Sequence, residues 1–423
     1  MNRRYSVFFA VCAMAQPIAA QDTAPSRDWW ELGMADSIQD EQLLFELGQT
    51  WTQAADIGEV LETAQRIDRS DPDSWAREWR RTAERLYAVA EASEAAKHRR
   101  SASHVYLRAS SYFRTALMHH FHPFSPEVAE LAMREDKAFR RALALGDSPC
   151  KPVEIPYEGA SLPGYFCRAP NAKGPAPVVI FNLGRDVWAE DHKVVADEAN
   201  ARGYHALLFD GPGQGKVLRL QQLPFRPDWE NVIKPVLDFA IAQRCVDPTR
   251  IVLWGESMGG YLVPRAAAFE RRLKLIIANP GVTDWYAAFV DNLILLVPEA
   301  VDLFGRDEAA FNARIEEIVA ASDIARWGLE DYMWKHGVST PSELMHDLEK
   351  YRLGGLERQI RARTLIVDAE AETRGQAEEL FDALQTPKDF LLFTAAEAAQ
   401  LHDQPGARAI NTQRIFDWID DAI

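Results

Sequence analysis

RIVLWGESMGGYLVPRAAAFE, residues 250–270, joins an apolar run to a helix-compatible one across a glycine-rich turn. Ile251, Val252, Leu253 and Trp254 read as a buried strand, and 262–269 reads as a helix rich in alanine. Between them stands Gly255-Glu256-Ser257-Met258-Gly259-Gly260. A strand turning sharply into a helix would lift the Ser257 hydroxyl above the end of a sheet. A side chain at Gly255 or Gly259 would collide with the neighbouring strand and helix. The helix that follows aims its N-terminal N–H groups at the place where negative charge develops during acyl transfer. Ser257 is therefore the candidate nucleophile.

Outward from that stretch, short apolar runs alternate with helical ones. Strands are expected at 178–181, 205–209, 251–254, 275–278, 365–367 and 390–393, and helices at 194–202, 228–243 and 415–423. This alternation implies an α/β fold, with a mostly parallel sheet and helices on both faces. Ligands of such sheets bind beyond the carboxyl ends of the strands, where Ser257 falls. Residues 153–157 and 162–166 flank Glu158-Gly159-Ala160-Ser161 as a hairpin. Residues 41–147 carry helical periodicity, as in Leu43, Leu44, Leu47 and Trp51, and form an N-terminal helical domain. Residues 285–360 interrupt the alternation as a helical insertion, placed to act as a lid over the nucleophile. The hydrolase-like part is expected to span 150–423.

A serine hydroxyl needs a base, and the base needs an orienting acid. On a sheet of this type the chain order is Ser, acid, His. Three histidines follow Ser257: His336 and His346 inside the insertion, and His402 in the loop after the last strand. His402 is the expected base. Asp368, Glu370 and Glu372 all stand where the acid should be; Glu372 reaches deepest into the loop, with Glu370 as the alternative. For the oxyanion hole, the Met258 N–H supplies one donor. The loop Asn182-Leu183-Gly184-Arg185-Asp186 supplies the other, Gly184 allowing close approach and the Arg185 amide donating.

Asp210-Gly211-Pro212-Gly213-Gln214-Gly215 lacks the Lys-Ser/Thr of a phosphate-binding loop and the spacing of a dinucleotide motif, so it reads as a tight loop beside the site. His119, His120 and His122 are not at i, i+4 spacing and have no matching carboxylates. No metal and no cofactor is expected; the three histidines cap a helix or line a cleft between domains.

A net charge of −16 argues against nucleic acid or an anionic membrane as partner. A small-molecule substrate is expected, and a homodimer is left open. No run is apolar enough to span a bilayer. Residues 1–20 resemble a secretory signal, with Arg3 and Arg4, an apolar centre at 7–15 and a cleavage region ending at Ala20. A working signal means a secreted or periplasmic protein; otherwise it is cytoplasmic. Cys12, Cys150, Cys167 and Cys245 show no C-x-x-C spacing. Buried free thiols are the expectation, although Cys150 and Cys167 flank the hairpin and could meet.

Several stretches resemble the α/β-hydrolases with an N-terminal helical domain. This group includes fungal pigment-pathway polyketide-shortening hydrolases, bacterial 2,6-dihydroxypseudooxynicotine hydrolases and FrsA-like esterases. The stretches are ADIGEVLETAQRI (55–67), SASHVYLRASSYFRTA (101–116), IPYEGASLPGYF (155–166), FDGPGQGK (209–216), GESMGGYLVPRAAAFERR (255–272), NPGVTDW (279–285) and LLFTAAEAAQLHDQPGA (391–407). The resemblance implies an α/β-hydrolase fold with an N-terminal helical domain and a helical lid insertion. It implies hydrolysis of a C–C bond in a ketonic, aromatic or polyketide-like substrate, or of an ester. An acyltransferase or cyclase using the same three residues, and a non-catalytic binding protein on this scaffold, are the alternatives. Family members commonly carry Asp where this chain has Glu372, and often Cys where it has Asp403. Tyr106 and Tyr112, on a helix also bearing Arg108 and Arg114, are expected to bind substrate beneath a roof made by the helical domain and the insertion. Asp284 and Trp285 of the NPGVTDW stretch are candidates for the same role.

Overall fold

The computed structural model describes residues 37–372 and 374–423. The signal-like residues 1–20 and Cys12 lie outside them. Five helices come first: α1 (Ser37–Gly48), α2 (Ile57–Arg66), α3 (Ser74–Ala95), α4 (Arg99–Met118) and α5 (Pro126–Leu145). Their ends follow capping chemistry. Asp56 accepts the Gly58 N–H at the start of α2, and Ser125 caps α5 with Pro126 at its first position.

The sheet follows: β1 (Cys150–Tyr157), β2 (Ala160–Cys167), β3 (Ala176–Asn182), β4 (His205–Phe209), β5 (Val246–Glu256), β6 (Leu275–Asn279), β7 (Arg363–Ala369) and β8 (Lys388–Phe393). Their spatial order is β1-β2-β4-β3-β5-β6-β7-β8. The pairs β1–β2 and β2–β4 are antiparallel and the rest parallel. Between strands lie α6 (Lys193–Ala201), α7 (Gly215–Gln221), α8 (Glu230–Ala242) and α9 (Gly259–Phe269). The insertion between β6 and β7 holds α10 (Trp285–Leu296), α11 (Pro298–Leu303), α12 (Glu308–Val319), α13 (Asp323–His336) and α14 (Pro341–Leu348); α15 (Gln376–Ala383) and α16 (Arg408–Ala422) complete the chain. Helix α7 starts at the last residue of the Gly-rich loop at 210–215 and was not among the helices expected, because seven residues are too few for a readable period.

Central strands are apolar throughout because both faces are covered. Val179, Phe181, Val252 and Trp254 join one core, which continues through Tyr165 into Trp75, Trp79 and Tyr112 of the helical segment. Val178, Ile180, Ile251 and Leu253 face the other, shared with α8, α9 and the insertion. The alternation is that of side chains along a strand.

The free-thiol expectation fails for two cysteines. Glu158 and Gly159, with φ of 42° and 84°, turn the hairpin in two residues. The resulting register sets Cys150 directly opposite Cys167, and the two form a disulfide. Cys245 is a free thiol.

Buried polar contacts tie the helical segment to the sheet. The Arg114 Nε donates to Asp191 at 2.9 Å and its Nη2 to the Asp186 carbonyl at 2.9 Å. Tyr165 Oη lies 2.5 Å from Glu190 and 3.1 Å from Asp136, and Lys216 reaches Asp136 at 2.9 Å. Glu46 on α1 is wholly buried and accepts from Ser111 and Thr115. Burial pushes its carboxyl up to about 7, against the pull of Arg114. A carboxyl raised on folding contributes most below its ordinary value of 4.5, and that contribution is lost as pH rises through about 7. The loss is on the order of 3 kcal/mol. Glu46→Gln is therefore expected to melt higher than the parent at pH 8 but not at pH 4. A difference independent of pH would count against the buried-carboxyl account.

Candidate active site

Ser257 sits between β5 and α9 with φ of 57°, a left-handed conformation for a residue with a Cβ. Two contacts hold it there: its N–H donates to the Asn279 carbonyl at 2.7 Å and to Asp403 Oδ1 at 3.0 Å. A Cβ on Gly255 would lie 2.1 Å from the Gly259 carbonyl oxygen, so strand and helix can close around the serine only with glycine there.

The loop after β8 brings His402 over Ser257, with Nε2 3.1 Å from Oγ. Gln404 pins this loop by accepting from Asn279 at 3.1 Å and from Asn411 of α16 at 2.6 Å. On the far side of the ring, Nδ1 pairs with Glu372 Oε1. The turn carrying Glu372 is clamped to the histidine loop through Ala371 N–H and the Gln400 carbonyl, 2.9 Å apart. Glu370 points elsewhere, its carboxylate accepting the Ala395 N–H at 2.6 Å. Asp368 remains in β7, and burial followed by the Glu372 charge pushes it up to about 8. Burial alone would lower the His402 imidazole, but Asp403 and Glu372 outweigh it and hold the ring well above its ordinary value.

Gly184 lies against Ser257: a Cβ there would be 2.5 Å from Ser257 Cβ and 3.0 Å from its Oγ. Gln214 of the Gly-rich loop fixes this segment, donating to the carbonyls of Leu183 at 2.7 Å and Gly184 at 3.0 Å. The Asp210 carboxylate accepts from the N–H groups of Ala189 and Lys216, both at 2.9 Å. The loop at 210–215 thus braces the site. The Arg185 guanidinium turns to Asp331 at 2.6 Å and lies 3.7 Å from the Tyr332 ring centre. Met258 is the first residue past the serine and is buried.

A cavity that opens to solvent lies over Ser257 and His402. Phe45 of α1, Arg114 and Met118 of α4, and Trp327 of α13 line it, so both the helical segment and the insertion cover the serine. Their residues differ from those expected. Tyr106 and Tyr112 do not line the cavity. Tyr106 packs on Tyr87 and donates to Glu94 at 3.1 Å, and Tyr112 donates to Glu59 at 3.0 Å within the helical core. Arg108 pairs with Glu59 at 2.9 Å. Asp284 caps α10, accepting the Ala287 N–H at 2.8 Å, and meets Arg352 at 3.2 Å. Trp285 lines a separate, smaller cavity behind Glu372 and Asp368. Helical periodicity marks a buried face without saying whether core or cavity lies behind it.

A buried network beneath the serine was not foreseen. Glu256 pairs with His192 Nε2 at 2.9 Å and accepts from Arg408 at 3.1 Å. Against the effect of burial, Arg408 and His192 hold its carboxyl down at about 2. Glu256 stands inside the G-E-S-M-G stretch, but no spacing announces partners 64 and 152 residues away. His119 stacks on Trp327 at 4.5 Å, at the junction of the helical segment and the insertion. Among the described residues, no group of His, Cys, Asp and Glu is arranged to hold a metal ion, and no helix is long and apolar enough to cross a membrane.

Comparison with known proteins agrees with this architecture. The family described as alpha/beta hydrolase matches residues 162–407, more than half of the chain. The hydrolase LUC6 of a Fusarium species is 32% identical over 386 residues, 87% of this chain and 92% of its own. The 20-hydroxy-prefusarin hydrolase FUS2 of Gibberella moniliformis is 32% identical over 393 residues, 88% and 94% of the two chains. Among solved structures, 2,6-dihydroxy-pseudo-oxynicotine hydrolase superposes with a TM-score of 0.68 at 18% identity, over 89% of this chain and 95% of its own. AbyA5 gives 0.63 at 18% identity, over 92% and 96%; at such identity these two speak for the fold. With the family match and the full-length relatives together, the chain belongs to the alpha/beta hydrolase family of enzymes.

Proposed function

We propose that this enzyme hydrolyses small ketonic substrates at a carbon–carbon bond, and esters by the same route, with Ser257 as nucleophile, His402 as base and Glu372 as acid. The observation that carries the reading is His402, whose ring nitrogens meet Ser257 Oγ on one side and Glu372 on the other. Ser257 Oγ attacks the carbonyl while His402 Nε2 takes its proton. Glu372 holds the Nδ1 proton in place and stabilises the imidazolium. The backbone N–H groups of Met258 and Arg185 receive the oxyanion. The tetrahedral adduct then collapses, and an alkoxide or enolate leaves with the proton from Nε2. Water, activated by His402, releases the acyl group and restores the serine.

The substrate class rests on the cavity and on relatives. Phe45 and Trp327 offer aromatic surface, and the guanidinium groups of Arg114 and Arg408 lie 4.6 and 5.0 Å from the Phe45 ring centre. Aromatic faces beside cations suit a planar ketone or its enolate. One relative is named as a 20-hydroxy-prefusarin hydrolase.

The test is product analysis with an aryl 1,3-diketone and with p-nitrophenyl acetate, each with and without added alcohol. The proposal expects a carboxylic acid from both substrates, plus a methyl ketone from the diketone. An ester formed with the alcohol as main product would make the enzyme an acyltransferase, and an untouched diketone would remove the carbon–carbon reading.

A further inference from the structure

Asp403 follows His402 directly and touches both members of the Ser257–His402 pair. Its Oδ1 accepts the Ser257 N–H at 3.0 Å, and its Oδ2 lies 3.2 Å from His402 Nε2. Glu372 meets the opposite ring nitrogen. Asp403 and Gln404 have φ of 55° and 48°, and this pair of left-handed residues swings the carboxyl back over the serine. The side chain lines the cavity above Ser257.

Its Oδ1 positions Ser257 for any substrate, but ester hydrolysis does not need the contact of its Oδ2 with His402 Nε2. One carboxylate on Nδ1 suffices to orient the base, and a second on Nε2 competes with Ser257 Oγ for the same ring nitrogen. Such a group becomes useful when the substrate must exchange a proton before it is attacked. An enolisable 1,3-diketone exists largely as its enol, in which the carbonyl is conjugated and a poor electrophile. Conversion to the diketone moves a proton from oxygen to the central carbon, and calls for a base and an acid side by side.

Building on the carbon–carbon reading above, we propose that Asp403 is the acid that ketonises an enolised 1,3-diketone before Ser257 attacks it. The Asp403 O–H delivers its proton to the central carbon, and a C–H bond forms. His402 Nε2 takes the proton of the enol oxygen, whose electron pair closes the carbonyl. The Nε2 proton then crosses to the Asp403 carboxylate. No proton is gained or lost, and His402 is again a free base facing Ser257. The charged groups around Asp403 are His402, Glu256 and Arg408. Burial pushes its carboxyl up, against the opposing pull of His402; the step starts from the state in which the proton shared by the pair sits on Asp403 and the His402 ring is neutral.

The experiment uses the full chain and three substrates: 1-phenylbutane-1,3-dione, its 2,2-dimethyl derivative, which has no proton on the central carbon and cannot form the conjugated enol, and p-nitrophenyl acetate. Asp403→Asn keeps an acceptor for the Ser257 N–H and a residue type that tolerates positive φ, but holds no acidic proton. Its loss in kcat is expected to be at least ten times greater on the enolisable diketone than on the other two. In Ser257→Ala, stopped-flow absorbance should show the enol band bleaching on binding, at least tenfold more slowly when Asp403→Asn is added. Asp403→Gly, which tolerates the positive φ but leaves the Ser257 N–H without its side-chain acceptor, should lower all three rates and still lose most on the enolisable diketone if the Asn variant folds poorly. Equal losses on all three substrates, or bleaching unchanged by the second substitution, overturn the proposal and leave Asp403 a positioning residue. A parent enzyme that hydrolyses the ester but neither diketone fails the carbon–carbon reading itself, and this step with it.

Discussion

Ser257→Ala and His402→Ala are each expected to lower turnover by about 10⁴-fold or more, with the protein still folded, and the double variant is expected to be little worse than either. The near-equality follows from shared work. Without His402 the hydroxyl keeps its proton and is a weak nucleophile; without Ser257 the imidazole has nothing to activate. What survives is the contribution of the oxyanion donors and of binding. Neither substitution should unfold the chain, because Ser257 is positioned through its backbone, by the Asn279 carbonyl and Asp403. His402 is held by a loop anchored through Gln404. Steady-state kinetics on an activated ester, with melting curves as control, measures this. Losses that add in the double variant would mean that the two residues act separately.

The second large effect concerns the acid. Glu372→Gln is expected to lower kcat by about 10³- to 10⁴-fold, since an amide meeting Nδ1 favours the wrong tautomer and cannot stabilise the imidazolium. Glu370→Gln should stay within about threefold, because its carboxylate accepts the Ala395 N–H while Glu372 is the acid that meets His402. The reverse ranking would move the acid to Glu370.

Much of this was legible in the chain because it is local. The segment 250–270 states its own strand, turn and helix, and the parallel strands appear as unbroken apolar runs wherever both faces are buried. His402 follows from chain order once the nucleophile is placed. Preferring Glu372 to Glu370 rested only on its depth in the loop, because three acids within five residues differ only in how the turn after β7 rotates; the structure turns Glu372 to His402. Tyr106 and Tyr112 misled for a related reason: an aromatic face buries equally well against a helix or against a ligand. The Glu256–His192–Arg408 network and the Asp403–Ser257 contact join residues from 64 to 152 positions apart. The folded sheet, with the loops after β3 and β8 and the start of α16 set at the end of β5, brings such groups together.

One measurement addresses the central claim directly: incubation of the full chain with a fluorophosphonate, followed by peptide mapping. A single adduct is expected on Ser257, absent in Ser257→Ala and formed at least a hundredfold more slowly in His402→Ala. No adduct, an adduct on another residue, or labelling unaffected by the loss of His402 would contradict a serine nucleophile activated at this site.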